Sequence, residues 1–356
     1  MVNILNSDVS GNNAENLSNS QNYISSENVG DLLRGASILS GGGGGSYQNA
    51  LDNYESLNLE RVEVRELADF DPDDNIATIF GLGPVDNTTE DPLGIAQESA
   101  EYYESQYGNI DGIILGEIGP DLIVEAVAIA DRLDVPVANA DVAGMRAVPS
   151  IQNEIIEDRN ISRTPVVATN GQTQRVYEAD KTSIDEELRQ LSNGDIWYLT
   201  GYAESPRVYQ QNVPENWFEE CLNPGIQGDI TQLGSGIVES FTSSEIEGHN
   251  IGRVIIEGRN RIEVFFQNEN ILAYIDGELA TEIPDTITLV DEQGIGVSNG
   301  NPPDTGDRIE VYQISYPFWQ DVDVLTRETQ EIRLEENSVI FQENTEFDIR
   351  GESENV

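Results

Sequence analysis

Between residues 110 and 149 the order of apolar and polar positions predicts a strand, a helix and a second strand. Residues 112–115, Gly-Ile-Ile-Leu, are the short apolar run a buried strand needs. Pro120 stands where a helix begins, a position at which its missing N–H costs nothing. Residues 122–130 are apolar nearly all round, which predicts a helix packed on most of its surface. Residues 135–138 read as another buried strand, and two strands so joined form a parallel crossover.

The pattern extends both ways. Upstream, a helix from residue 27 carries an apolar face of Val29, Leu32, Leu33, Ala36, Ile38 and Leu39, and a second helix covers 47–56. Strands are expected at 59–66 and 76–80, then a helix over 91–107 with Ile95, Ala96, Ala100, Tyr103 and Tyr107 inward. Together these predict an α/β N-terminal domain with a parallel sheet. Beyond residue 165 come a strand at 166–169, a helix at 184–191, and strands at 196–200, 236–241, 253–257, 261–267, 271–275, 286–289 and 309–314. Asp276-Gly277 has the chemistry of a tight hairpin turn, so this part predicts a β-rich, sandwich-like C-terminal domain. The expected organisation is a disordered tail over 1–26, the α/β domain over 27–164, the β-rich domain over 165–335 and an acidic segment over 336–356.

Charge changes the picture. There are 66 acidic residues against 18 basic ones, a net of −48, and Lys181 is the only lysine. The acids are spread singly between apolar positions, which suits a solvated carboxylate surface at high salt, where the Debye length is about 3 Å at 1 M. The apolar periodicity argues against an acidic disordered chain. Nucleic acid and anionic membrane are excluded as partners because phosphates would be repelled. The lone Cys221 allows no internal disulfide and no thiolate zinc site. The sequence has no membrane-length apolar run and no secretory signal pattern, so the expected compartment is the cytoplasm.

Candidate chemistry gathers at the strand ends, where open α/β sheets bind ligands. Gly116-Glu117 follows one strand and Asn139-Ala140-Asp141 the next, with Gly144 and Arg146 just beyond. Glu117 and Asp141 are the acid/base candidates, and Arg146 can hold a substrate anion or stabilise an oxyanion. Against this stand plainer roles: helix-end electrostatics for the two acids, and a salt bridge for Arg146. Gly81 and Gly83 follow a third strand end and border the same crevice. The run Gly41, Gly42, Gly43, Gly44, Gly45 lies between two predicted helices, and its backbone N–H groups can approach a ligand closely. A flexible linker is the plainer reading; a phosphate-binding P-loop is excluded because no Gly-Lys-Ser/Thr follows. His249, the only histidine, has no nucleophile elbow to serve and reads as structural. One histidine excludes a multi-histidine metal site; a carboxylate-bound hard cation stays open, although no calcium-loop spacing is present, and the sequence does not identify a cofactor.

These residues also carry a family likeness. The glycine run after Leu33-Arg-Gly-Ala-Ser-Ile-Leu39, Gly116-Glu117-Ile-Gly119, and Asn139-Ala-Asp141 followed by Gly144-Met-Arg146-Ala-Val-Pro149 resemble the S-methyl-thiohydantoin desulfurase-like, hydantoinase-associated family. Ile251-Gly252-Arg253, Gln267-Asn268-Glu269 and Ile283-Pro284-Asp285-Thr-Ile287 extend the resemblance, which runs from Val29 to Trp319. It implies an α/β domain, a β-rich domain, and hydrolysis of a hydantoin-like or thiohydantoin-like cyclic amide or thioimidate. The family pattern has Asp at Asn139, glycine at Pro120, and an Asp-Pro pair at Gly45-Ser46. Those departures motivate an alternative: a non-catalytic partner subunit of a hydantoinase or oxoprolinase-type enzyme. A third reading is a small-anion or nucleotide sensor built on the glycine loop. A homo-oligomer is compatible with each.

Overall fold

The computed structural model describes residues 22–83, 90–143, 161, 164–178, 184, 187–188, 191, 196–246 and 249–317. The chain opens with β1 (Asn22–Ser25), α1 (Val29–Leu39), α2 (Tyr47–Leu57), β2 (Arg61–Arg65) and β3 (Ile76–Leu82). It continues through α3 (Pro92–Tyr107), β4 (Gly112–Leu115), α4 (Pro120–Leu133) and β5 (Val137–Asp141). β6 (Val166–Thr169), β7 (Gln174–Tyr177), β8 (Trp197–Glu204), α5 (Pro206–Asn212) and α6 (Trp217–Leu222) follow. The remaining strands are β9 (Asp229–Ile246), β10 (His249–Gly258), β11 (Arg261–Gln267), β12 (Glu269–Ile275), β13 (Glu278–Glu282), β14 (Thr286–Val290) and β15 (Arg308–Ser315).

The first sheet runs β1-β2-β5-β4-β3-β8-β6-β7. Its centre, β2-β5-β4-β3, is parallel and contains the predicted crossover, while its flanks are antiparallel. The expected parallel sheet is therefore the heart of a mixed one. Pro120 occupies the first turn of α4, and ten of that helix's residues are buried. Five of the six apolar positions expected on α1 are buried, with Ile38 packed partly against the same core.

Two departures sit at the sheet's edges. β1 lies inside the segment expected to be a tail; Ile24 is fully buried there, and one such anchor suffices to pair the segment with β2. β6, β7 and β8 fall beyond residue 165, yet they join the first sheet because β8 pairs antiparallel with β3 and carries β6 with it. The helix expected over 184–191 lies largely outside the described residues.

The second sheet is antiparallel, in the order β13-β12-β11-β10-β9-β15-β14. The sandwich-like layer is a single curled sheet: β12 and β14, far apart in strand order, come into contact around Ala273, Ile287 and Leu289. Asp276 and Gly277 both take the left-handed conformation of the expected β12–β13 hairpin turn. Among the described residues no helix is long and apolar enough to cross a membrane.

The seam between the two sheets runs along the glycine loop. Gly41, Gly42, Gly44 and Gly45 have φ of 59°, 96°, 67° and 87°, values that side chains disfavour. Gly41 O accepts from Asn270 N at 2.7 Å, and Gly42 O from Asn299 N at 2.8 Å. Gly296 N donates to Ser37 Oγ at 2.9 Å, fastening α1 to the second sheet as well.

Candidate functional site

The turn after β4 carries Gly116-Glu117-Ile118-Gly119, and the turn after β5 is stitched beside it. Val142 N donates to Leu115 O and Ala143 N to Gly116 O, both at 2.9 Å. Glu117 and Asp141 thus sit at neighbouring strand ends. They act on different surroundings: the charge of Glu117 raises the proton affinity of Glu125 on α4, and that of Asp141 raises those of Cys221 and Tyr316. Gly81 extends β3 beyond the last residue of β4 that β3 pairs with, so it and Gly83 border the same end of the sheet. Gly144 and Arg146 lie outside the described residues.

The glycine loop rests directly on the β4–α4 turn. A Cβ on Gly44 would lie 2.6 Å from the Cα of Gly119, and Gly44 O accepts from Asp121 N at 3.0 Å. With the carbonyls of Gly41, Gly42 and Gly44 engaged, the loop keeps donors in reserve. Among the described residues, the N–H groups of Gly42, Gly44 and Gly45 donate to no protein acceptor. The loop's first and second carbonyls face the second sheet, and Glu269 of β12 fills the space beside Gly43. Gly43 and Gly45 lack a Cβ where carboxylates occupy that volume: Glu269 at the first, Asp121 at the second.

Asp121 and Glu125 were not singled out as site residues by sequence reasoning. Asp121 looks like an ordinary acidic residue in a helix's first turn, yet no side chain caps α4. Burial raises its carboxyl to about 7. Glu125, one turn on, is buried and pushed well above the usual carboxylate range by desolvation, then by the nearby Asp121 and Glu117. The available signal was Glu125 itself, the one charge within the apolar stretch 122–130.

Asn139 belongs to a different network. It is fully buried; its Nδ2 donates to Glu66 Oε1 at 2.8 Å and to Glu219 Oε2 at 2.9 Å, and its Oδ1 accepts from Phe218 N at 3.1 Å. These bonds use both amide hydrogens, so the side chain braces β5 against α6 and the end of β2. Burial raises Glu66, the Asn139 bond lowers it, and the charges of Glu219 and Glu215 raise it further. His249 begins β10 and is half-buried. Among the described residues no group of three or more His, Cys, Asp or Glu can hold a metal ion.

A family model described as "S-Me-THD-like, N-terminal domain" matches residues 27–179, and "S-Me-THD-like, C-terminal domain" matches 196–324. No curated protein matches the chain. A crystal structure of a protein from Chromobacterium violaceum is similar, with a TM-score of 0.71 and 18% identity, covering 88% of this chain and 97% of that one. That likeness is one of fold.

Proposed function

The chain belongs to the S-methyl-thiohydantoin desulfurase-like family, and from that premise we propose that it is a hydrolase of a hydantoin-like or thiohydantoin-like cyclic amide or thioimidate. The observation that carries the reading is the glycine loop, whose N–H groups at Gly42, Gly44 and Gly45 donate to no protein acceptor among the described residues. They lie beside a turn bearing Glu117 and a helix start bearing Asp121, one of whose carboxyl oxygens is sealed. Water attacks the ring carbon while Glu117 takes its proton. Negative charge gathers on the ring heteroatoms, and preorganised N–H donors stabilise such charge without reorganising. Asp141 is the alternative base, and Arg146 a second anion-stabilising group. We place the enzyme in a salt-rich cytoplasm, on the strength of its 66 acidic and 18 basic residues.

The test is release of methanethiol from an S-methyl thiohydantoin, and ring opening of plain hydantoins, in molar KCl. Glu117→Gln should fold normally and lose turnover; full activity in that variant removes Glu117 from the mechanism. One observation favours the second reading, a non-catalytic subunit beside a hydantoinase or oxoprolinase-type enzyme. Position 139 carries an amide committed to the protein's own Glu66 and Glu219 rather than a carboxylate. An isolated chain without turnover that co-purifies stoichiometrically with a hydrolase would favour that reading.

A further inference from the structure

We propose that Asp121 is a second catalytic residue of this site, the acid that protonates the sulfur leaving the ring. The inference rests on the hydrolase reading above and adds a residue to it. Three observations on geometry support it.

Asp121 is fixed to the glycine loop at its backbone, through the 3.0 Å bond from its N–H to Gly44 O, and at its side chain, which fills the space beside Gly45. Its carboxyl therefore flanks the N–H groups assigned to the ring's developing charge. Next, Oδ1 is sealed from solvent and has no hydrogen-bond partner among the described residues, although the residue as a whole is only half-buried. An ionised carboxylate needs its acceptor sites filled, so a sealed oxygen without a donor favours the neutral, proton-carrying form. Finally, the carboxyl does none of the structural work expected at a helix start, because α4 has no side-chain cap. The neighbours recorded beside this loop and turn, Glu125, Glu117 and Glu269, are themselves acids.

The chemistry balances with two carboxyls. As the C–O bond forms, Glu117 takes one proton from water; as the C–S bond breaks, Asp121 gives its proton to sulfur, releasing methanethiol. The second water proton ends on the ring nitrogen, leaving a hydantoin carbonyl. Glu117 is then protonated and Asp121 ionised, and one proton passed between them resets the site.

The experiment compares two leaving groups, methylthio and 4-nitrophenylthio, on the same ring with the full chain in molar KCl. A nitrophenyl thiolate departs without a proton, so it does not need the acid. Asp121→Asn should slow methanethiol release by about 100-fold or more, the ordinary contribution of a general acid, while arylthiol release stays within a few-fold of wild type. Retained arylthiol release also shows that the variant is folded. Equal losses on both substrates, or no loss on either, overturn the assignment of Asp121 while leaving the hydrolase standing. Should wild type turn over neither substrate, both the hydrolase reading and this inference fall.

Discussion

The carboxyl of Asp121 occupies the space that a side chain at Gly45 would fill, so helix α4 and the glycine loop are shaped around each other. Gly45→Ala meets two obstacles at once: the φ of 87° that L side chains rarely adopt, and an overlap with Asp121 Oδ2. Strain at such a position costs on the order of 1–3 kcal/mol. We expect a lowered Tm in a thermal-shift measurement. Arylthiol and methanethiol release should both fall, because the displaced carboxyl takes the loop with it. An unchanged Tm would mean that the loop yields freely.

Asp121 also links pH to stability. Its folded-state carboxyl lies at about 7 against an ordinary 3.8, so the folded protein resists ionising it. The sign follows: the group is neutral in both states below about 3.8, and it destabilises the fold progressively as pH rises from there to about 7. At 1.36 kcal/mol per unit, the upper bound is on the order of 4 kcal/mol, reduced by the residue's partial exposure. Asp121→Asn should therefore raise Tm at pH 8 and leave it unchanged near pH 3.5. A variant less stable than wild type at pH 8 would show that the carboxylate is paired rather than merely buried.

Asn139→Asp tests the network beneath β5. The substitution removes two donated hydrogen bonds and sets a third carboxylate against Glu66 and Glu219 in a buried site. Leaving buried charge uncompensated costs roughly 3–5 kcal/mol, so the variant should be strongly destabilised at neutral pH. Carboxyls pushed upward in the folded state lose stability as pH rises, and acidification should restore part of it. Urea midpoints at pH 5 and pH 8 measure the difference. A variant as stable as wild type at both would mean that the site readily accepts a proton or a cation.

Much of the first sheet's centre was legible because burial on both faces writes itself as short apolar runs, as in Gly112–Leu115, and because Pro120 marks the following helix. Partnership across long separations was not. β8 reads as a strand, but nothing local tells it to pair with β3 rather than with the second sheet. Glu269 illustrates the same limit at the site. It sits in a segment that reads as a turn between strands, and only the folded seam sets its carboxyl beside Gly43. Glu117 and Asp141 were readable as strand-end acids, whereas the sealed carboxyl oxygen of Asp121 depends on a loop some 75 residues earlier in the chain.

The last prediction concerns salt. Arg261 is paired with Glu239, Glu257 and Glu263, but such exposed contacts contribute little individually and weaken when screened. Opposing them is the self-repulsion of a chain with a net charge of −48, which acts over the whole surface and is relieved by the same screening. The Debye length contracts from about 10 Å at 0.1 M to about 3 Å at 1 M, so repulsion between carboxylates farther apart than that should fade over this range. Repulsion outweighs attraction here, because 66 acidic residues face only 18 basic ones and most have none to pair with. Tm should therefore climb steadily from 0.1 M to 2 M KCl, and should climb with NaCl as well, since screening depends on ionic strength. A Tm that is flat or falls with KCl would mean that the ion pairs outweigh the repulsion, and the salt-adapted reading of this surface would have to be given up.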